Sequence, residues 1–353
     1  MELADALRFY IPLFYSALLI LLYLLTFYVI VRHWKTEKSS FFMMYIFEGV
    51  MNMCTYFMVF YSKKLNTVTS ETSPLAFLYR DMESQTLENI SERRRLVESK
   101  QACLFPPLKR HLGGYTPASV WLSGCVVVRR CGDIDFLKNF LTCMSYHMAF
   151  VQYINTSLIS TNRYTVLRFL QSAEPFWKKF ALPIMILAFL VPFVDTHRYF
   201  FLQTEIIFNE ESGSYEFVEP MPLEDCFKYL NPTMIFCSVY SVGMNVASRM
   251  NLRTLNTHVR SKASTNFTII TLFTSVTQVL GCFLSIIRVK WPTGPIAKLL
   301  AEYLPFVSDG LTLMQPLLLF VLTSSIRGKI IAMFKRKDTS VVHVIRSASR
   351  NSN

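Results

Sequence analysis

Apolar residues along this chain gather in seven blocks separated by polar and charged connections. An α-helix rises about 1.5 Å per residue, so about 20 mostly apolar residues cross the hydrocarbon core of a bilayer, and each block meets that length. The blocks run from Phe9 to Val31, Phe41 to Tyr61, Phe140 to Asn162, Phe180 to Leu202, Leu230 to Met250, Phe267 to Ile287 and Leu299 to Leu322. The fourth is the least regular, because its apolar part stops at Val194 and Asp195, His197 and Arg198 follow. The pattern predicts an all-α membrane protein, a seven-transmembrane helix bundle. The first block lacks the short apolar core and small-residue cleavage site of a signal peptide, so a retained anchor is expected.

Composition adds weight to this reading: 52% of the residues are hydrophobic and the mean hydropathy is +0.32, more than a soluble domain usually carries. The 30 Phe and 17 Tyr residues supply lipid-facing bulk and interfacial anchors.

Charge then assigns the sides. Arg32, Lys35 and Lys38 follow the first block; Arg163, Arg168, Lys178 and Lys179 lie between the third and fourth; Arg249, Arg253, Arg260 and Lys262 lie between the fifth and sixth. The tail adds Arg327, Lys329, Lys335, Arg336, Lys337, Arg346 and Arg350 on the same side. The opposite side, apart from one long loop, holds only Arg8, Arg198, Lys228, Arg288, Lys290 and Lys298, with a series of acids from Glu205 to Asp225. Basic flanks tend to stay in the cytoplasm, so the N terminus is expected outside and the C terminus inside a multi-pass protein of the plasma membrane. The net charge of +12 is read as topology plus attraction to anionic inner-leaflet lipid. Nucleic acid is not an expected partner, because the basic residues are scattered among membrane connections.

The chain divides into an N terminus with helices 1 and 2 (1–62), a long extracellular connection (63–139), helices 3 to 7 (140–325) and a cytoplasmic tail (326–353). Loops beyond about 60 residues are translocated largely regardless of charge, so the basic run Glu92-Arg93-Arg94-Arg95 does not overturn the topology. The long connection is read either as a ligand-covering loop, with Asn89-Ile90-Ser91 as a glycosylation acceptor, or as a block near 81–132 that is unstructured or inserted by a faulty gene model. In the tail Ile326, Ile330, Ile331 and Phe334 recur at helical spacing among basic residues, which predicts a short amphipathic helix on the inner leaflet.

Cys54, Cys237 and Cys282 fall inside spans as small apolar fillers. Cys226 lies in the second outer loop, and Cys143 lies about 30 Å along a helix from Arg163, near the outer boundary. A Cys143–Cys226 disulfide is therefore feasible, with Cys131 as a competing partner.

Ionisable residues inside spans are costly and default to a functional reading. Glu48 lies about 11 Å from the inner end of its span and Asp309 about 15 Å from the outer end of its own. Asn52, Asn155, Asn245, Gln278 and Gln315 are neutral residues able to hydrogen-bond them. A ligand pocket is expected in the outer half of the bundle. His147, Phe150, Val151 and Ile154 share one face of the third span at i, i+3, i+4 and i+7, and Asp309 and Leu313 are candidates to oppose them.

The third span closes on Asn162-Arg163-Tyr164, where a fixed cation can exchange partners within the bundle and with a partner protein. The stretch from Tyr146-His147-Met148-Ala149-Phe150-Val151-Gln152-Tyr153 to Ser160-Thr161-Asn162-Arg163-Tyr164 resembles the third transmembrane helix of nematode serpentine chemoreceptors, in the superfamily that includes class gamma and class V. The resemblance continues through Pro175-Phe176-Trp177, Ser248-Arg249-Met250 and Ser324-Ser325-Ile326-Arg327, and covers nearly everything except the long loop. It implies chemosensation of a small external molecule and coupling to a heterotrimeric G protein, with Asn162, Arg163 and Tyr164 as signalling residues; Glu48 joins them from its place inside a span, read either as a switching residue or as a polar clamp between helices. The chain departs from the rhodopsin pattern in three places: no acid precedes Arg163, the sixth span has no Trp-x-Pro, and Leu319 stands where the seventh-span motif places Tyr. G-protein coupling is thus an implication of resemblance alone.

A seven-helix ligand-gated channel with its N terminus inside is the alternative that needs the reverse charge bias; a transporter would call for an internal repeat, and none is found. The chain has no HExxH, GxSxG or glycine-rich phosphate loop, so neither an enzyme nor a cofactor is expected, and no cysteine pair has metal-ligand spacing.

Overall fold

The computed structural model describes residues 3–34, 39–60, 91, 133–169, 172–201, 204–209, 214–218, 221–254, 262–292 and 294–335. Seven long helices among them overlap the seven apolar blocks: α1 (Leu3–Arg32), α2 (Ser40–Val59), α3 (Asp133–Phe169), α4 (Ala173–Leu190), α6 (Leu223–Thr254), α7 (Lys262–Lys290) and α8 (Pro295–Leu322). A one-turn helix, α5 (Phe193–Thr196), and a 3-10 turn (His197–Phe201) follow α4, and α9 (Ser324–Lys335) follows α8. Among the described residues four helices are long and apolar enough to cross a membrane, and the bent pair α8 and α9 would add a fifth.

The side-chain distribution is inverted relative to a soluble fold. Phe14, Phe236 and Val239 are exposed, whereas Asn155, Asn245 and Gln278 are buried. Hydrocarbon solvates the former and leaves the latter to find partners inside, which suits a protein embedded in lipid. The central helices α3 and α6 carry many of these inward polar groups, and this lowers their mean hydropathy below that of the lipid-facing helices.

The chain forms two compact units. One comprises Met1–Lys64, Met144–His197 and Met221–Asn353; in it α6 packs on α7, α7 on α8, α8 on α1 and α2, and α2 on α4. Its apolar core gathers Tyr23, Met44, Tyr45, Trp177, Leu313 and Ile326, among others. Gly294 opens α8 at φ 92°, a left-handed conformation that favours glycine, and Pro295 follows at the first helical position. An 87° bend separates α8 from α9, with Thr323 extended at the corner. Carbonyls freed there are taken by side chains: Asn266 donates to Leu322 O and Arg327 Nη1 donates to Val321 O at 2.6 Å. In α9 Ile326 and Ile330 are buried while Ile331 and Phe334 are exposed.

The other unit comprises Leu65–Cys143 and Arg198–Pro220. Here one small sheet joins the helices: β1 (Glu205–Asn209) and β2 (Ser214–Val218) form an antiparallel hairpin pairing Ile206 with Phe217 and Phe208 with Tyr215. Both strands are rich in β-branched and aromatic residues, which suit a pleated half-buried surface. Asn139 secures the approach to the hairpin, accepting from Thr204 N at 3.1 Å and donating to Phe200 O at 3.3 Å.

The fourth helix also differs from its predicted limits. It begins at Ala173 rather than Phe180 and breaks after Leu190. Glu174 and Pro175 favour a first turn, as an acid and a proline do there, while Pro192 removes a backbone donor where the helix stops.

Candidate functional site

Asn162-Arg163-Tyr164 sits on α3 rather than at its end, since the helix continues to Phe169. Three helices meet at this level. Ser40, the first residue of α2, donates from its backbone N to Glu174 Oε1 at 2.9 Å and from its hydroxyl to Glu174 Oε2 at 2.8 Å. The same hydroxyl accepts from Asn162 Nδ2 at 3.0 Å. A helix N-terminus exposes unsatisfied N–H groups and favours negative charge, so Glu174 from α4 caps α2 across the bundle. Ser39 completes the cap by accepting from Phe41 N at 3.2 Å.

Phe41, next to the capped serine, meets the charge of the site. The Arg163 guanidinium carbon lies 3.6 Å from the centre of the Phe41 ring, a cation–π contact that contributes roughly 0.5–2 kcal/mol depending on desolvation. The guanidinium is cationic at neutral pH. Lys178 Nζ lies 3.6 Å from Glu174 Oε1, and Trp177 Nε1 donates to Thr165 Oγ1 at 2.8 Å, pinning α4 to α3. Tyr164 is half-buried beside this assembly. Sequence reasoning missed Glu174; its signal was an acid immediately before Pro175 at a helix start, while its partner Ser40 is 134 residues away in the chain.

Glu48 is buried in α2 and accepts from Thr156 Oγ1 at 3.5 Å. Asp309 is buried in α8 and accepts from the Tyr15 hydroxyl of α1. Of the amides expected to serve these acids, Gln315 bonds Glu48, while Asn52, Asn245 and Gln278 bond elsewhere. Gln152 Nε2 donates to Asn52 Oδ1 at 3.1 Å, Asn52 Nδ2 to Tyr23 Oη at 3.3 Å, and Tyr23 Oη to Thr312 O at 2.9 Å, a chain that ties α3, α2, α1 and α8 together. Asn245 donates to Ser160 Oγ, Thr271 O and Ser275 Oγ, with the last at 2.7 Å. Tyr153 and Gln278 exchange hydrogen bonds with each other's backbone carbonyls at 3.0 and 3.1 Å.

The two polar candidates for the ligand site, His147 and Asp309, engage different neighbours. His147 is fully buried, its Nδ1 2.9 Å from Thr196 Oγ1 and its ring stacked 3.8 Å from Phe193 and edge-on to Phe189. It thus engages α4 and α5, whereas Asp309 engages α1. Phe150, Val151 and Leu313 are buried and Ile154 is half-buried. Cys143 and Cys226 are both buried; their pairing stays an expectation. Asn89, the block 81–132 apart from Ser91, and Cys131 lie outside the described residues. Among the described residues no group of three or more His, Cys, Asp or Glu is placed to hold a metal ion.

A profile of the Srg family chemoreceptors matches residues 9–79 and 122–330. The chain belongs to the Srg family. The match takes in every element of the arrangement around Arg163 and passes over 80–121, inside the long connection. Two curated relatives in Caenorhabditis elegans are similar over 212 residues. Serpentine receptor class gamma-10 is 24% identical, the alignment covering 58% of this chain and 63% of the relative. Serpentine receptor class gamma-31 is 22% identical, with 58% and 67% covered. The chain therefore spans about two thirds of the length of these relatives. Family and apolar helices together make this Srg chain a multi-pass membrane protein of the chemoreceptor class.

Proposed function

We propose that this Srg-family chain is a seven-span receptor, N terminus outside, that takes a small external molecule in the outer half of its bundle and signals through its inner connections to a heterotrimeric G protein. The observation that carries the reading is the Arg163 assembly, in which α3 grips two consecutive residues of α2, Ser40 through Asn162 and Phe41 through Arg163, while Glu174 of α4 holds Ser40. These contacts lie on the side where Lys and Arg collect. A cation held on an aromatic face can exchange that face for another partner, which suits a contact traded between two helix arrangements. Ligand binding shifts the balance between them, and the released Arg163 face becomes available to the partner. On this reading Asp309 and Leu313 of α8 and the His147, Phe150, Val151 and Ile154 face of α3 are the candidate contacts of the ligand, reached by movement of α4 and α1.

Expression in cells carrying a calcium or cAMP reporter, challenged with fractionated nematode secretions, tests this. The full chain with an N-terminal tag is expected to stain on intact cells and to respond to some fraction. Arg163→Ala is expected to reach the surface equally and to stay silent. Equal responses from the two would remove Arg163 from the mechanism, and a tag hidden until the cells are permeabilised would reverse the proposed sides.

A further inference from the structure

A cavity of about 20 Å³ lies at the inner half of the bundle, with Glu48, Tyr45, Thr156, Gln315 and Phe41 in its walls. Some 10–15 Å³ in this measure holds one water, while organic ligands occupy cavities of about 300 Å³ or more, so the guest is a single small species. Its chemistry follows from the hydrogen-bonding inventory of the walls. Tyr45 is 2% exposed and Gln315 is 5% exposed; among the described residues neither the Tyr45 hydroxyl nor Gln315 Oε1 has a hydrogen-bond partner. Glu48 accepts from the Gln315 side-chain amide and from Thr156 at 3.5 Å, the outer limit of a hydrogen bond, and a carboxylate accepts up to about four.

The walls therefore offer one O–H donor and two acceptors to the same space. One water satisfies all three, accepting from Tyr45 and giving one hydrogen to Gln315 Oε1 and the other to Glu48. A bare cation would leave the Tyr45 hydrogen unused, and an apolar guest would leave both the Tyr45 hydroxyl and Gln315 Oε1 unsatisfied. We propose that this cavity binds one ordered water bridging Tyr45 and Glu48 of α2 to Gln315 of α8. Water-mediated contacts re-form with little loss when their walls shift, so the bridge lets α2 and α8 slide without stranding a buried polar group. The site also abuts the signalling end: Phe41 lines the cavity, and Tyr45 stacks on it at 6.2 Å beneath Arg163.

The proposal stands apart from ligand and G protein, and its test needs neither. Tyr45→Phe, Gln315→Met and the double variant of the full chain are compared by thermal unfolding in detergent. Each single change is expected to lower the melting temperature by about 2 °C or more, and the pair by clearly less than the two losses summed, because both remove a bond to one shared guest. Additive losses would overturn the bridge. The same scans in sodium chloride and in choline chloride are expected to coincide; a sodium-dependent rise abolished by Glu48→Gln would put a cation in the cavity and overturn the water. Hydroxyl-radical labelling of the unmodified chain by X-ray radiolysis supplies a readout free of variants. Tyr45 is expected to react faster than the equally buried Tyr23, and equal protection of the two would also overturn it.

Discussion

Two faces of α3 hold their neighbours by different physics. Toward α6 and α7 the seam is neutral: Ser157 meets Ser241 and the Cys237 carbonyl, Asn245 reaches Ser160 and Ser275, and Tyr153 and Gln278 trade bonds. Near Asn162 the helix instead presents a cation to an aromatic ring and shares a serine with a carboxylate. Hydroxyls and amides matched at short range in a low-dielectric interior lock one arrangement, since any slip leaves a buried polar group unsatisfied. A charge that can move from ring to water or to a partner tolerates two. The neutral seam is therefore expected to govern stability and the charged end to govern signalling.

The largest effect expected is at Gly281, where an added Cβ would lie 2.8 Å from the Tyr153 hydroxyl and 3.2 Å from Leu311. Gly281→Leu should overpack the contact between α3, α7 and α8 and cost about 3 kcal/mol, read as lost surface expression and a lower melting temperature in detergent. Asn245→Ala removes an amide whose two N–H groups serve three acceptors within reach and is expected to cost about 2 kcal/mol, interhelical bonds in membranes contributing roughly 0.6 kcal/mol each on average and the stranded partners adding to it. Glu174→Gln weakens the charged cap of α2 by about 1 kcal/mol while raising basal reporter activity at equal surface expression. The smallest change is Trp177→Phe, which loses the bond to Thr165 but keeps most of the packing, at about 0.5–1 kcal/mol. If Asn245→Ala raised basal activity as much as Glu174→Gln, the two faces would not differ in role and the comparison would fail.

The positions of the helices were legible in the amino-acid pattern because membrane helices satisfy their backbone locally and need only a long apolar run. Their ends were less so. α3 extends beyond Phe140 and Asn162 into Asp133 and Phe169, and α4 starts at Ala173, because polar residues at the interface continue a helix that hydropathy alone truncates. The hairpin at Glu205–Asn209 and Ser214–Val218 was hidden in a loop read for its acids. Arg163 stood out through its place at the close of a span, whereas Glu174, among ordinary charged residues, did not.

Residue type and spacing, by themselves, determined which segments become apolar helices and where basic flanks collect, and they carried the resemblance to the serpentine chemoreceptors. Partner choice was decided only in the folded bundle. His147 turned to Thr196 and Asp309 to Tyr15, although helical periodicity placed each correctly on its own helix. Periodicity gives the angle of a side chain about its own axis, and only packing sets which neighbouring helix stands at that angle.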